Sequence, residues 1–438
     1  MLPSNYDGAL QEASARFSQE VSSGLAATGL VESDLARHVE RARRIVSEVP
    51  GFAKLADAQL DEAARFVVDD MFQLGPLEEL LADSSVTEIM VNAFNDVWVE
   101  RGGMLERAKN VHFFDDGHVE RVITRIVQAD NRRCDTASPT CDCTLHRAGA
   151  AFDGSRVNAV WRPIAIEHPI LTIRKFRGDI MSPETLIANG TMDETIWDML
   201  CALVKGRMNI MIIGGTGTGK TTVLNMLSTA IDNDQRIFTI EDTAELKLMQ
   251  EHWVREVSRQ PNSEGAGEVT IRQLVRNVLR QRPDRIIVGE CRGAEAFDML
   301  RAMSSGHDGS LTTLHSSAPR QSLMTLQMLV QMNPDASTMP PAAIMQLITS
   351  SIDFVVHVKR YRDGSRRIAE IMEVSGMQGE VPTCASIIEF RETGLDAEGR
   401  VTGEFMPTGN RFQLKHREQL ENSGVVLDES WFDTSAGW

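Results

Sequence analysis

Gly214-Gly-Thr-Gly-Thr-Gly219-Lys220-Thr221 is the stretch from which the rest of the chain is read. It matches G-x4-G-K-[ST] at every constrained position. The apolar run Asn209-Ile-Met-Ile-Ile213 precedes it and a helical pattern over 220–231 follows, which is the strand–loop–helix frame the motif requires. Glycines let the backbone curl until successive N–H groups point inward at phosphate oxygens. The helix N-terminus adds its partial positive charge. Gly214, Gly215, Thr216, Gly217, Thr218, Gly219, Lys220, Thr221 and Thr222 are therefore expected to cradle a nucleoside triphosphate. Lys220 would bridge the β and γ phosphates, and the Thr221 hydroxyl would ligate Mg²⁺. A glycine-rich turn without a ligand is the bland alternative, and the coincidence of every constrained feature in the right frame argues against it. No N-K-x-D guanine reader accompanies the loop, which favours ATP over GTP.

Outward from the loop, strand and helix alternate. Strands are expected at 209–213, 236–240, 285–288 and 310–314, with helices at 220–231, 271–281 and 294–304. This alternation predicts a doubly wound parallel sheet. From Asp353 on, strands and loops predict an antiparallel extension. Upstream, residues 1–8 read as a loose terminus. Residues 9–50 carry Val31, Leu35, Val39 and Ile45 at mostly helical spacing and predict one or two amphipathic helices; a third is expected at 57–72, ended by Gly75-Pro76. Strands at 87–91, 97–101, 156–161 and 170–176 with a helix at 118–129 predict a compact α+β domain, and Pro183 opens a helical stretch through Val204. The expected division is a helical module at 1–73, an α+β domain at 74–180 and an α/β domain with a C-terminal extension at 181–438.

Three further elements follow strand ends, where the ligand crevice of a parallel sheet lies. Arg285-Ile-Ile-Val-Gly-Glu290 ends an apolar strand in a carboxylate, so Glu290 is the expected general base on water. Its bland role is as an acid at the N-terminus of the next helix. Ile240-Glu241-Asp242-Thr-Ala-Glu245 offers three carboxylates, of which Glu241 and Asp242 could hold a metal through water; a solvated acidic loop is the alternative. His315 closes the strand after Gly306-His307-Asp308-Gly309 and is placed to sense a γ-phosphate. The case for His307 is weaker.

Composition bounds the reading. The 438 residues are 42% hydrophobic and 24% charged, as in an ordinary globular protein of two or three domains. No apolar run reaches the ~18–20 residues of a spanning helix. No secretory leader is visible, so residence in the cytoplasm is expected. A net charge of −17 lowers the expectation of nucleic-acid binding. The six cysteines do not read as a disulfide framework in such a chain.

Taken in order, Gly214–Thr221, Glu241–Leu246, Arg282-Pro-Asp-Arg-Ile-Ile-Val-Gly-Glu290-Cys-Arg-Gly and Gly306-His-Asp-Gly-Ser-Leu-Thr-Thr-Leu-His315 resemble the Walker A loop, Asp box, Walker B strand and His box of the type II/IV secretion ATPase superfamily. Leu74-Gly-Pro-Leu-Glu78, Val86-Thr-Glu-Ile-Met-Val-Asn92, Gly154-Ser-Arg-Val-Asn158, Leu171-Thr-Ile-Arg-Lys-Phe176 and Glu268-Val-Thr-Ile-Arg272 are similar to the CpaF branch, the motor of tight-adherence (Tad) pili. The resemblance implies a RecA-like C-terminal ATPase domain behind an N-terminal domain, with ATP bound between them. It implies a homohexameric ring that docks under inner-membrane platform proteins at the cytoplasmic face and moves pilin. It also implies arginines of the N-terminal domain at the phosphates, which map onto Arg156 and Arg174; ion pairs within their own domain are the alternative. The chain departs from the pattern between Thr140 and Phe152, where the interval is longer and holds Cys141, Cys143 and His146, with Cys134 just before. These are zinc-ligand types, but C-x-C is not the usual spacing, and an extended hairpin loop with incidental cysteines is the expected reading. The first ~60 residues match weakly and read as an added module for ring or partner contacts. Two other functions use the same motifs: a RecA-like nucleic-acid translocase, disfavoured by charge, and a ring scaffold that binds ATP without turnover, disfavoured by the complete set of Lys220, Glu290 and His315.

Overall fold

The helical spacing near the start of the chain is realised as α1 (Asp7–Thr28), α2 (Leu35–Glu48) and α3 (Asp57–Phe72). The computed structural model describes residues 2–28, 35–109, 111–147, 149–175, 181–262 and 265–434. Val31, the end of the strand expected at 170–176 and the boundary expected at 180 fall outside these. The chain divides into two units, Met1–Gly178 and Asp179–Trp438.

In the first unit the three helices bury Phe17, Ala42, Ile45, Val46 and Val67 against one another, with Phe52 of the turn between α2 and α3 in the same core. The terminus expected to be loose is tied into this core: Leu2 is buried, Ser4–Tyr6 forms a 3-10 turn, and Tyr6 stacks on Phe52. The two apolar side chains gain more by burial than so short a segment loses in freedom. Next come α4 (Glu78–Ala82), β1 (Val86–Ala93), β2 (Asp96–Arg101), β3 (Met104–Arg107), α5 (Asp116–Ala129), β4 (Thr140–Leu145), β5 (Ser155–Val160) and β6 (Ile170–Arg174). The strands form an antiparallel sheet in the order β3-β2-β1-β6-β5-β4. Asp115 caps α5 by accepting from the His118 N–H, and Val119, Val122, Ile123 and Ile126 line the core under the sheet. The loop expected after Thr140 is instead a strand. Thr-Cys-Asp-Cys-Thr-Leu alternates with period two, and Cys141, Cys143 and Leu145 all face the core. Cysteine is acting here as a small apolar residue.

The second unit opens with α6 (Pro183–Ala188) and α7 (Glu194–Lys205), where a single helix was expected. Gly190 breaks it: its φ is +68°, and Arg367 Nη1 donates to its carbonyl at 2.8 Å. The chain continues through β7 (Ile210–Gly214), α8 (Lys220–Ser228), β8 (Ile237–Glu241), β9 (Trp253–Val257), α9 (Ile271–Val278), β10 (Arg285–Cys291), α10 (Glu295–Met303), β11 (Leu311–His315), α11 (Pro319–Gln331), α12 (Pro341–Ser351), β12 (Phe354–Arg360), β13 (Arg366–Gln378), β14 (Val381–Leu395), β15 (Val401–Pro407) and α13 (Leu414–Asn422). Among the described residues they build a nine-stranded sheet ordered β15-β14-β13-β12-β7-β11-β10-β8-β9. The six strands from β12 to β9 are parallel, and β13, β14 and β15 extend the sheet antiparallel.

The apolar run of β7 is continuous because both faces are covered. Ile210 and Ile212 pack with Leu203 of α7 and Val223 and Leu227 of α8. Met211 and Ile213 face the opposite core, with Val275 of α9, Leu300 of α10 and Leu326 of α11. The fold is the expected α/β one: a RecA-like P-loop domain with a doubly wound sheet, preceded by helices and a smaller α+β part.

Candidate nucleotide-hydrolysis site

The loop between β7 and α8 is shaped by its glycines. Gly217 and Gly219 take φ of +69° and +98°, a left-handed region that side-chain-bearing residues rarely adopt. At Gly214 the constraint is space: a Cβ there would lie 2.4 Å from the Val358 carbonyl oxygen and 2.5 Å from Thr218 Oγ1. Lys220, the first residue of α8, folds its Nζ back to donate to the carbonyls of Gly214 (3.2 Å) and Gly215 (2.9 Å). From the far side, Arg366 of β13 donates through Nε to the Gly217 carbonyl at 2.9 Å.

Strand register brings the other sequence-read residues to this end of the sheet. His315 pairs directly with Gly214, and Leu314 pairs with both Ile213 and Cys291. On the other side of β10, Val288 pairs with Ile240, so Glu241 and Glu290 leave the same carboxyl-terminal edge as the loop. His315 is exposed there. His307 is not a strand-end group: its Nδ1 lies 3.3 Å from the Ala302 carbonyl, closing the end of α10.

Glu241 is buried, and its Oε1 accepts from the backbone N–H groups of Glu245 (2.9 Å) and Leu246 (2.8 Å). It thus braces the acidic loop after β8. Its Oε2 is buried with no hydrogen-bond partner among the described residues. Burial pushes the carboxyl up to about 7, against the pull of those two N–H bonds and with some help from the nearby Glu245 carboxylate. Gly289 lies alongside, where a Cβ would sit 2.9 Å from Glu241 Cγ. Glu245 reaches the loop, with Oε2 accepting from Thr221 Oγ1 at 3.4 Å. A divalent cation beside a triphosphate takes much of its shell from phosphate oxygens and water. The Thr221 hydroxyl, the adjacent carboxylate and the unpartnered Glu241 oxygen fit such an ion. Among the described residues no three His, Cys, Asp or Glu side chains form a ready-made metal cluster.

Glu290 forms an ion pair with Arg292 at 2.6 Å, and Arg292 also lies 4.0 Å from Asp242. The role of an acid at the N-terminus of the next helix, weighed for Glu290, falls to Glu295, which opens α10 and whose Oε1 accepts from the N–H groups of Arg292 (2.6 Å) and Gly293 (2.7 Å). Beneath the site, Arg285 is completely buried and donates to Gln235 Oε1, the Gly309 carbonyl and the Val204 carbonyl at 2.7–2.9 Å. Burial pulls its pKa down to about 10. A Cβ on Gly309 would lie 2.1 Å from Arg285 Nη1, so only glycine fits there.

Arg156 and Arg174 lie in the first unit as direct cross-strand partners on β5 and β6. Arg174 Nε is 4.0 Å from Glu88 on β1. Cys134, Cys141 and Cys143 are buried free thiols, and His146 bonds Asp130 at 3.2 Å. Arg366, Arg292 and the Thr221–Glu245 contact were not read from the sequence. Arg292 had a signal only in its nearness to Glu290 in sequence, just past the end of β10. Arg366 had none, because it meets the loop only through the folding of the extension.

The type II/IV secretion system protein family matches residues 70–390. A protein of Mycobacterium tuberculosis whose name connects it with conjugal transfer is 36% identical over 327 residues, covering 75% of this chain and 92% of its own length. The type IV secretion system protein PtlH of Bordetella pertussis is 30% identical over 332 residues, covering 70% of this chain and 95% of its own. Among solved structures, the VirB11 ATPase of the Brucella suis type IV secretion system, in complex with sulphate, is similar at 27% identity and a TM-score of 0.37, over 71% of this chain and 96% of that one.

Proposed function

The chain belongs to the type II/IV secretion system protein family and is an ATP hydrolase of the secretion and pilus motor kind, and from that premise we propose that it is the hexameric motor of a Tad-type pilus, working at the cytoplasmic face of the inner membrane. The observation that carries the hydrolytic site is the common strand edge: the glycine loop, Glu241, Glu290 and His315 all leave the carboxyl ends of parallel strands. Loop N–H groups and Lys220 hold the triphosphate. Glu290, oriented by its ion pair with Arg292, takes the proton of the water that attacks the γ-phosphate. His315, beside Gly214, registers the loss of that phosphate. When bound, Mg²⁺ neutralises phosphate charge; Thr221 would hold it directly and Glu241 through water. Arg156 and Arg174 are assigned to charge stabilisation on the transferring group. The Tad assignment rests on the CpaF-like segments in the first 180 residues, while the relatives named for conjugal transfer and type IV secretion support a secretion or pilus motor in general. Among the described residues no helix is long and apolar enough to cross a membrane, so attachment would be through platform proteins.

Lys220→Ala should abolish ATP turnover, measured by phosphate release, while circular dichroism and melting stay those of the parent. Undiminished turnover in that variant would remove the assignment of the site.

A further inference from the structure

We propose that Arg366 is a positioning residue of the nucleotide site: by holding the Gly217 carbonyl outward, it fixes the Thr218 N–H inward toward the phosphates. The proposal rests on the glycine loop being the ATP site. A peptide unit is planar and trans, so its C=O and N–H point in opposite directions. Gly217 has no side chain to restrain its own peptide and sits at φ +69°. Its carbonyl is tied at 2.9 Å by the Arg366 Nε–H. The arginine's Cδ also lies against Gly219, 3.5 Å from where a Cβ would be. The amide leaving the far side of that peptide belongs to Thr218, a member of the cradle.

Arg366 can do this because it is itself held. It opens β13 opposite Arg360 of β12. The hairpin turn before it is locked by Asp363, whose Oδ1 accepts from the Ser365 N–H (2.9 Å) and hydroxyl (2.6 Å). The same carboxylate's Oδ2 accepts from the Val401 N–H at the start of β15 (2.7 Å). The antiparallel extension thereby fixes a donor that braces the loop, 149 residues away in sequence. Contact with phosphate amides is made in the ground state and the transition state alike, so its loss falls on KM.

Two variants of the full chain separate the bond from the charge. Arg366→Met keeps a linear chain under Gly219 and has no donor. Arg366→Gln has no charge but carries an N–H₂ at the same number of bonds from the backbone as the arginine Nε. Arg366→Met should raise KM for ATP about five- to tenfold with kcat within about twofold, the size of one lost hydrogen bond. Arg366→Gln should stay within about threefold of the parent KM, and both should melt with the parent. An unchanged KM in Arg366→Met overturns the proposal, as does a Gln variant no better than Met, which would mark the charge as the active feature. If Arg366→Met does not fold, Arg366→Leu, which also lacks a donor, takes its place in the same comparison with Arg366→Gln. If the parent chain shows no hydrolysis, the reading of the site fails instead, and the Arg366 bond is judged by the same comparison in ADP affinity measured by titration calorimetry.

Discussion

At the residue scale, Glu241 combines two demands. One oxygen braces the loop after β8, and the other is buried without a partner among the described residues at the edge of the candidate site. Its pKa, pushed up to about 7 by burial, ties stability to pH. A carboxyl with a raised folded pKa binds its proton more tightly in the folded state. The stability it provides is therefore fully present below the ordinary carboxyl value of 4.5 and is lost as pH rises through about 7. Glu241→Gln keeps an amide oxygen for the two N–H groups and has nothing to ionise. In denaturant titrations without nucleotide, the parent should lose stability between pH 4.5 and about 7, and the Gln variant should lose less. Parallel pH profiles would mean that Glu241 does not titrate in this window. Lys220, Glu290 and His315 were legible in the sequence because each stands at a fixed offset from a strand end. The bracing role of Glu241 and the place of Arg366 were not. Both depend on which backbone groups a distant segment presents after folding.

Among the elements, a buried polar chain ties the central strand to the C-terminal extension. Asn209, just before β7, receives N–H bonds from Gly309 and Ser310 at 3.0 Å and donates its own N–H to Asp353 at 2.9 Å. Asp353, before β12, meets Nε2 of His416 on α13 at 3.0 Å, and Nδ1 of that ring meets Glu373 of β13 at 2.5 Å. Glu373 and His416 are almost completely buried. Burial pulls the imidazole's pKa down, but the bonds to Asp353 and Glu373 outweigh it and hold the value above the ordinary 6.5. The stability this ring supplies is complete below pH 6.5 and fades as pH rises through the raised value. His416→Ala leaves the fully buried Glu373 carboxylate without its imidazole partner, keeping the Gln413 N–H bond at 2.8 Å, so a loss of about 3–5 kcal/mol is expected in chemical denaturation. A loss below about 1 kcal/mol would show that the Gln413 N–H suffices for Glu373 once the imidazole is gone. The strands and helices of the alternating core were legible because they carry clear periods. β4 was missed because its interval was read as an extended hairpin loop with incidental cysteines, whereas cysteine supplies the apolar positions of a period-two strand there. The single helix expected from Pro183 overlooked Gly190, whose positive φ and bond from Arg367 end it.

For the whole molecule, motif order and the alternation of elements carried the fold class, and the family match agrees with it. Assembly is less legible, because a ring is a property of surfaces between copies rather than of periods within a chain. Hexamer formation is testable by native mass measurement with ATP, which should show six copies of the 48.6 kDa chain. A head-to-tail ring also makes a kinetic demand, since each copy uses a different surface toward each neighbour and all interfaces are equivalent. If a turnover in one copy is transmitted to the next, a copy that cannot hydrolyse stalls those beside it. Mixing the parent with Lys220→Ala at a fixed total concentration separates the cases, provided the two are unfolded and refolded together so that rings are mixed. In an equal mixture, independent copies would retain half the hydrolysis rate of the parent alone. A coupled ring should retain clearly less, with a curve that sags below the straight line at every ratio. A strictly linear fall would leave the ATPase assignment standing and remove the coupling, because a blocked neighbour would then have no effect on the copies that still turn over.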